Sequence, residues 1–161
     1  MHVSELLTTQ ALLGLTLLLG ATAYESVVMA PNYERDIPTS LGIARQFLDR
    51  RTPAHYFRVI APVTLILLLI DVIVSWHVPY ARTGLLVGFI ALVIGDAITL
   101  SFHYPRLTIM FKEPLGTDAE RLRKAAREWS IGNVVRAVLL VIAFLAVLHG
   151  FAMIVGSRVG R

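Results

Sequence analysis

The chain contains no cysteine in its 161 residues. That excludes a thiol nucleophile, a disulfide relay and thiolate metal ligands. Charge is also scarce, at 16% of residues, against 56% hydrophobic and a mean hydropathy of +0.69. This is too apolar for an ordinary soluble domain. No lysine or arginine precedes Arg35. Ala21-Thr22-Ala23 resembles a small-residue cleavage site, but the positive segment of a signal peptide is missing, so a retained helix is expected there. No phosphate loop, G-x-S-x-G elbow, dinucleotide fingerprint, H-E-x-x-H or H-x-x-x-H occurs, and no internal repeat is evident. Chemistry dependent on a soluble cofactor has no support in these patterns.

What is present is a set of four apolar blocks, at about 6–30, 59–78, 83–102 and 131–155. Each is near the roughly 20 residues a spanning helix needs. The expected fold is all-α: one integral membrane domain over 1–161, an antiparallel four-helix bundle. The fifteen Lys and Arg residues are unevenly placed. Arg35, Arg45, Arg50, Arg51 and Arg58 follow the first span, and Arg106, Lys112, Arg121, Arg123, Lys124 and Arg127 follow the third. Only Arg82, Arg158 and Arg161 lie on the other side. Both basic segments are therefore expected in the cytoplasm, with both termini outside, in a bacterial inner membrane. The net charge of +4 flanks the spans, so lipid headgroups rather than nucleic acid are the expected partners.

Local signals divide the chain further. The first helix is expected to end at Pro31, which lacks an N–H. Leu41, Ala44, Phe47 and Leu48 recur at helical spacing with Arg45, Asp49 and Arg50 on other faces, the pattern of a short interfacial helix. Thr52-Pro53 fits the start of the second long helix, with a kink expected at Pro62. Gly84, Gly88, Ala91 and Gly95 form a small-residue stripe, read as bundle packing with a homodimer face as the alternative. Tyr104 and Pro105 are expected to close the third helix. Thr117-Asp118-Ala119-Glu120 fits a capping box opening a helix that runs through Trp129 into the fourth span.

Ionisable residues inside apolar runs mark working sites by default. Arg136, Glu25 and Asp96 fall at similar depth, roughly 8–12 Å from the basic end at about 1.5 Å per residue. Trp129, Asn133 and Arg136 share one helix face by spacings of four and three, and Asp96 and His103, seven apart, share another. These residues, with Tyr24 and Tyr104 at the rim, predict a polar pocket in the inner leaflet. Interhelical polar contacts also simply hold bundles together, and Tyr and Trp at span ends are common anchors. A second polar group lies towards the other end: Thr64, Asp71 and Ser75 stripe one helix, with His149 at comparable depth and His77 nearby, so an Asp71–His149 relay is an alternative site. Histidines on separate helices, His77 with His149 or His55 with His103, can ligate haem or a metal. Lone histidines are more often hydrogen-bonded, so no cofactor is expected.

Several short segments then carry a family likeness. Ala30-Pro31-Asn32-Tyr33, Asp36-Ile37-Pro38, Tyr56-Phe57-Arg58-Val59 with Pro62, His103-Tyr104-Pro105-Arg106 and the spaced Trp129, Asn133 and Arg136 resemble the anthrone-oxygenase-like family of small four-helix membrane proteins. The resemblance covers nearly the whole chain, and its strength lies in order and spacing. Some members of that family are associated with oxidation of an anthrone to an anthraquinone without a bound cofactor, and the resemblance implies a functional surface at the Trp129/Asn133/Arg136 face and the His103 region. In such a reaction His103 or Glu25 would be the base, and Arg136 and Asn133 would stabilise the enolate oxygen. Tyr24, Asp96, Tyr104 and Trp129 would contact a lipophilic aromatic substrate. The alternatives are a non-enzymatic carrier, transporter subunit or scaffold, and a haem or metal electron carrier.

Overall fold

A computed structural model describes residues 3–116 and 118–159, apart from the side chains of 158 and 159. The elements run α1 (Val3–Tyr24), a π-helical turn (Glu25–Met29), α2 (Ala30–Glu34), α3 (Thr39–Phe47), α4 (Pro53–Val74), α5 (Pro79–Ile98), a second π-helical turn (Thr99–His103), α6 (Tyr104–Lys112) and α7 (Ala119–Val159). Four continuous helical stretches, Val3–Glu34, Pro53–Val74, Pro79–Lys112 and Ala119–Ser157, are long and apolar enough to cross a membrane. The short α3 does not span. Outward-facing Leu13, Ile66, Ile90 and Leu145 remain exposed, as a lipid-facing surface requires.

The long helices pack as a closed ring: α1 on α4, α4 on α5, α5 on α7 and α7 back on α1. The most extensive interface is α5 with α7, and the small-residue stripe explains it. A Cβ at Gly88 would strike the Val147 side chain, and one at Gly84 would press on the backbone of Ala146 and Gly150. Two of the stripe's glycines thus bring α5 against α7 within one chain. Gly95 differs, because a Cβ there would meet only Arg136 Cγ, at 4.0 Å. Leu15, Leu68, Leu85, Leu92, Leu140 and Val147 form the apolar centre.

A second apolar cluster caps the basic end, built from Tyr33, Ile37, Leu41, Met110, Leu122 and Trp129. Leu41 of α3 is buried in it, whereas Phe47 on the same helix is exposed. Arg45 fixes α3 in place, its Nε and Nη2 donating to the Met110 carbonyl at 3.0 and 2.7 Å. Arg106 ties α6 to α7 through Glu128 at 3.0 Å.

The two expected helix stops are not stops. At Pro31 and at Pro105 the chain stays helical, and each proline follows a π-helical turn by two residues. A proline ring crowds the carbonyl four residues back, here Val27 and Ser101. Opening the turn to i→i−5 bonding relieves that conflict. The bonds are in place: Ala30 N–H donates to Glu25 O, and Tyr104 N–H to Thr99 O. Each π-helical turn inserts one residue, so every side chain after it moves one position round the helix.

Other boundaries also move. The second span ends at Val74, where Ser75 turns back onto Asp71, and α5 begins at Pro79. Pro62 lies inside α4 without ending it. At the start of α4, Thr52 caps the His55 N–H while His55 Nδ1 accepts from the Thr52 N–H at 3.2 Å. Asp118 caps α7, accepting from the N–H groups of Glu120 and Arg121 at 3.1 and 3.0 Å. Thr117 of the expected capping box lies outside the described residues, as does Arg161, and the Arg158 side chain is likewise not described.

Candidate functional site

Glu25 and Arg136 form a buried ion pair, Arg136 Nη2 donating to Glu25 Oε2 at 2.8 Å. Asn133, one turn earlier on α7, donates to the same oxygen at 3.4 Å. The Arg136 guanidinium also lies 4.4 Å from the centre of the Phe57 ring on α4, a cation–π contact in a low-dielectric setting. Its Nη1 reaches Thr99 Oγ1 at 3.5 Å. Four of the long stretches thus meet at one arginine.

Two cavities flank this pair. The deep one, about 270 Å³, lies among α1, α4, α5 and α7 and is lined mainly by leucine and alanine. Its polar wall is Arg136, Asp96, Thr22, Thr99, Arg58 and Tyr104. Arg58, Pro62 and Leu100 on its wall are exposed, so it opens sideways between α4 and α5. The second cavity, about 290 Å³, lies under the basic-end cap. Tyr33, Tyr104, Phe111 and Trp129 give it aromatic walls, and Glu25, Thr52, Thr108 and Lys112 make it polar. Arg58 and Tyr104 line both cavities.

The sequence-derived residues divide accordingly. Arg136, Asp96 and Tyr104 reach the deep cavity; Glu25, Trp129 and Tyr104 reach the other. The Asp96 carboxylate makes no ion pair or hydrogen bond among the described residues, although Arg136 acts on it electrostatically. Of the two carboxylates at similar depth, Arg136 pairs with Glu25 and makes no ion pair with Asp96. Asn133 is buried and lines neither cavity; it holds Glu25 instead.

His103 also lines neither cavity. It is 1% exposed, edge-on to Trp129 with ring centres 6.4 Å apart, and seated over Gly132, where a Cβ would lie 3.0 Å from its Cε1. Neither ring nitrogen makes a full hydrogen bond, though the Gly132 carbonyl acts on the ring. The physical reason for its displacement is the π-helical turn between it and Asp96. In an unbroken α-helix His103, seven residues on, would share the Asp96 face. With one residue inserted, Tyr104 takes that place and His103 turns towards α7.

The same shift operates on the first helix. Tyr24 is 58% exposed and lines neither cavity. As the immediate neighbour of Glu25 it points about 100° away, so both cannot face inward. Tyr33 is buried against Trp129 and Phe111, its ring centre 5.6 Å from each. α-Helical spacing from Glu25 would have favoured Asn32, which is exposed. Phe57, Arg58, Thr22 and Thr99 were also missed; the Tyr56-Phe57-Arg58 segment was the available signal for two of them.

The outer relay does not form. Asp71 is fully buried, but its oxygens meet Thr8 Oγ1 at 2.6 Å and Ser75 Oγ at 3.1 Å. His149 lies on an exposed face of α7 and His77 is also exposed. His55 is engaged in the α4 cap. Among the described residues no three His, Cys, Asp or Glu side chains gather where a metal ion would fit. No family model, no curated protein and no solved structure matches the chain.

Proposed function

We propose that the deep cavity receives a flat, oxygen-bearing lipophilic molecule from the bilayer, and that the protein is an oxidoreductase of the anthrone-oxygenase-like kind. Arg136 carries this reading: it is a guanidinium on the wall of a mainly apolar cavity that opens sideways within the apolar stretches. Such a group in hydrocarbon is far stronger as an oxyanion partner than it would be in water. The cavity volume is just below the roughly 300 Å³ at which small-molecule sites begin. The order and spacing of Tyr56-Phe57-Arg58, His103-Tyr104-Pro105 and Trp129, Asn133, Arg136 support the same reading.

Placement supports the following roles. Asp96 lines the cavity without a partner and is the base. Arg136 stabilises the enolate oxygen that forms when a ring CH₂ beside an aryl ketone system loses a proton. Glu25 and Asn133 position Arg136. The carbanion adds dioxygen, forming one C–O bond, and regains a proton as a hydroperoxide. Loss of water then breaks the O–O bond and leaves a carbonyl. One dioxygen is consumed, giving one carbonyl oxygen and one water.

Oxygen uptake with anthrone as probe, using protein in lipid nanodiscs, tests this. Uptake above the spontaneous rate, lowered at least about 100-fold by Asp96→Asn, is expected for loss of a general base. Saturable anthrone binding without turnover would replace the enzyme with a carrier. The absence of both binding and uptake would remove the reading.

A further inference from the structure

The two cavities differ in what surrounds their openings. The deep one opens between α4 and α5, where exposed Pro62 and Leu100 lie inside the apolar stretches. The other opens at the basic end, beside Thr52, Pro53 and Ala54 at the start of α4 and Thr108 and Lys112 at the end of α6. Lys112 and Thr108 are exposed there. Water occupies a cavity when it is roomy and offers two to four polar partners per molecule. At about 290 Å³, with Glu25, Tyr33, Thr52, Arg58, Thr108 and Lys112 on its wall, the second cavity meets both conditions. The deep cavity has a mainly aliphatic wall.

Between them stand Glu25 and Arg136, with Arg58 and Tyr104 shared by both walls. Glu25 Oε2 is occupied by Arg136 and Asn133. Its Oε1 accepts no hydrogen bond from the described residues and is not among the enclosed, unpartnered atoms. Glu25 therefore stands on both sides: its Oε2 holds the arginine of the deep cavity, and the residue itself lines the second cavity.

We propose that the second cavity is an aqueous vestibule that brings water to Glu25, and that the Glu25–Arg136 pair is the partition separating this water from the lipid-side cavity. The ligand is water itself, and the site gives Glu25 proton exchange with the basic-end solvent. A molecule held under Arg136 stays in a dry compartment one ion pair away from water. This rests on the reading of the deep cavity as lipid-facing, but not on any activity.

The cysteine-free chain supplies the test. Single cysteines at Ala54 and Leu107 report the vestibule, and single cysteines at Ala91 and Thr99 report the deep cavity. Full-length protein in nanodiscs is treated with a charged, membrane-impermeant methanethiosulfonate. Because only hydrated, ionised thiols react quickly, the vestibule positions are expected to react at least about tenfold faster than the deep ones. Glu25→Ala should raise the rate at Thr99→Cys towards the vestibule rate. Glu25→Gln, which keeps the shape and a bond to Arg136, should leave it low. Unreactive vestibule positions would overturn the water-filled chamber. A Thr99→Cys rate that already equals the vestibule rate, or that does not respond to Glu25→Ala, would overturn the partition. Both outcomes leave the anthrone assay of the deep cavity untouched, so the two readings fail separately.

Discussion

Arg136 and Glu25 lie 111 residues apart and meet at 2.8 Å, both nearly excluded from the surface. Removing one partner of a buried pair strands the other charge, at about 3–5 kcal/mol. Glu25→Ala is expected to destabilise the bundle by that order, whereas Glu25→Gln, which retains a hydrogen bond, should cost less than half as much. Unfolding in mixed micelles measures both. Equal losses would mean that the lost charge alone sets the cost and that the hydrogen bond to Arg136 contributes nothing.

His103 and Asp96 make opposite predictions about catalysis. His103 is shut behind Trp129 and lines neither cavity, so His103→Gln should retain most anthrone-dependent oxygen uptake, within about threefold. Asp96→Asn should abolish it while leaving the thermal midpoint nearly unchanged, because the carboxylate has no partner to lose. The rates and midpoints of the two variants, measured side by side, decide between them; a silent Asp96→Asn with a dead His103→Gln would reverse the assignment.

The glycines of α5 should behave unequally. Gly88→Ala drives a methyl into Val147, and overpacking of this kind costs about 1–3 kcal/mol. Gly95→Ala meets only Arg136 Cγ at ordinary contact distance and should be neutral in stability. Unfolding midpoints of the two single variants provide the comparison.

Asp71 offers a proton count. Thr8 Oγ1 lies 2.7 Å from the Ser4 carbonyl and 2.6 Å from Asp71 Oδ2, yet a hydroxyl carries one hydrogen. Both contacts are hydrogen bonds when Asp71 itself donates, as a carboxylic acid. Asp71→Asn, whose amide can donate to Thr8 in the same way, should then stay within about 1 kcal/mol of the parent. Asp71→Ala should cost more, since it leaves Thr8 and Ser75 without their partner. A strongly destabilised Asp71→Asn would argue for a carboxylate there.

The helices, the α3 segment and the shared level of Glu25 and Arg136 along the bundle were legible in the sequence because each follows from hydropathy and a fixed rise per residue. The Trp129/Asn133/Arg136 face was legible for a further reason: α7 is regular throughout, so spacings of four and three hold. On the other two helices the same arithmetic failed at a definite place. Pro31 and Pro105 looked like ends, and the π-helical turns that absorb them left no periodic trace. Past each turn the inward position moved by one, from Asn32 to Tyr33 and from His103 to Tyr104. A proline followed by continued helical patterning was the signal available. Asp71 was found, but its partner was not, because any of several polar residues lies at the right depth and only packing selects Thr8.

The proposed reaction requires a lipophilic ligand in the deep cavity under Arg136. Gly95→Leu tests it most directly, because its side chain enters that cavity from a position where a Cβ is tolerated. Equilibrium binding of anthrone to the parent and to Gly95→Leu in nanodiscs should show saturable binding by the parent and at least about tenfold weaker binding by the variant, a loss of roughly 1.4 kcal/mol. Unchanged affinity in a correctly folded Gly95→Leu protein would contradict binding in that cavity.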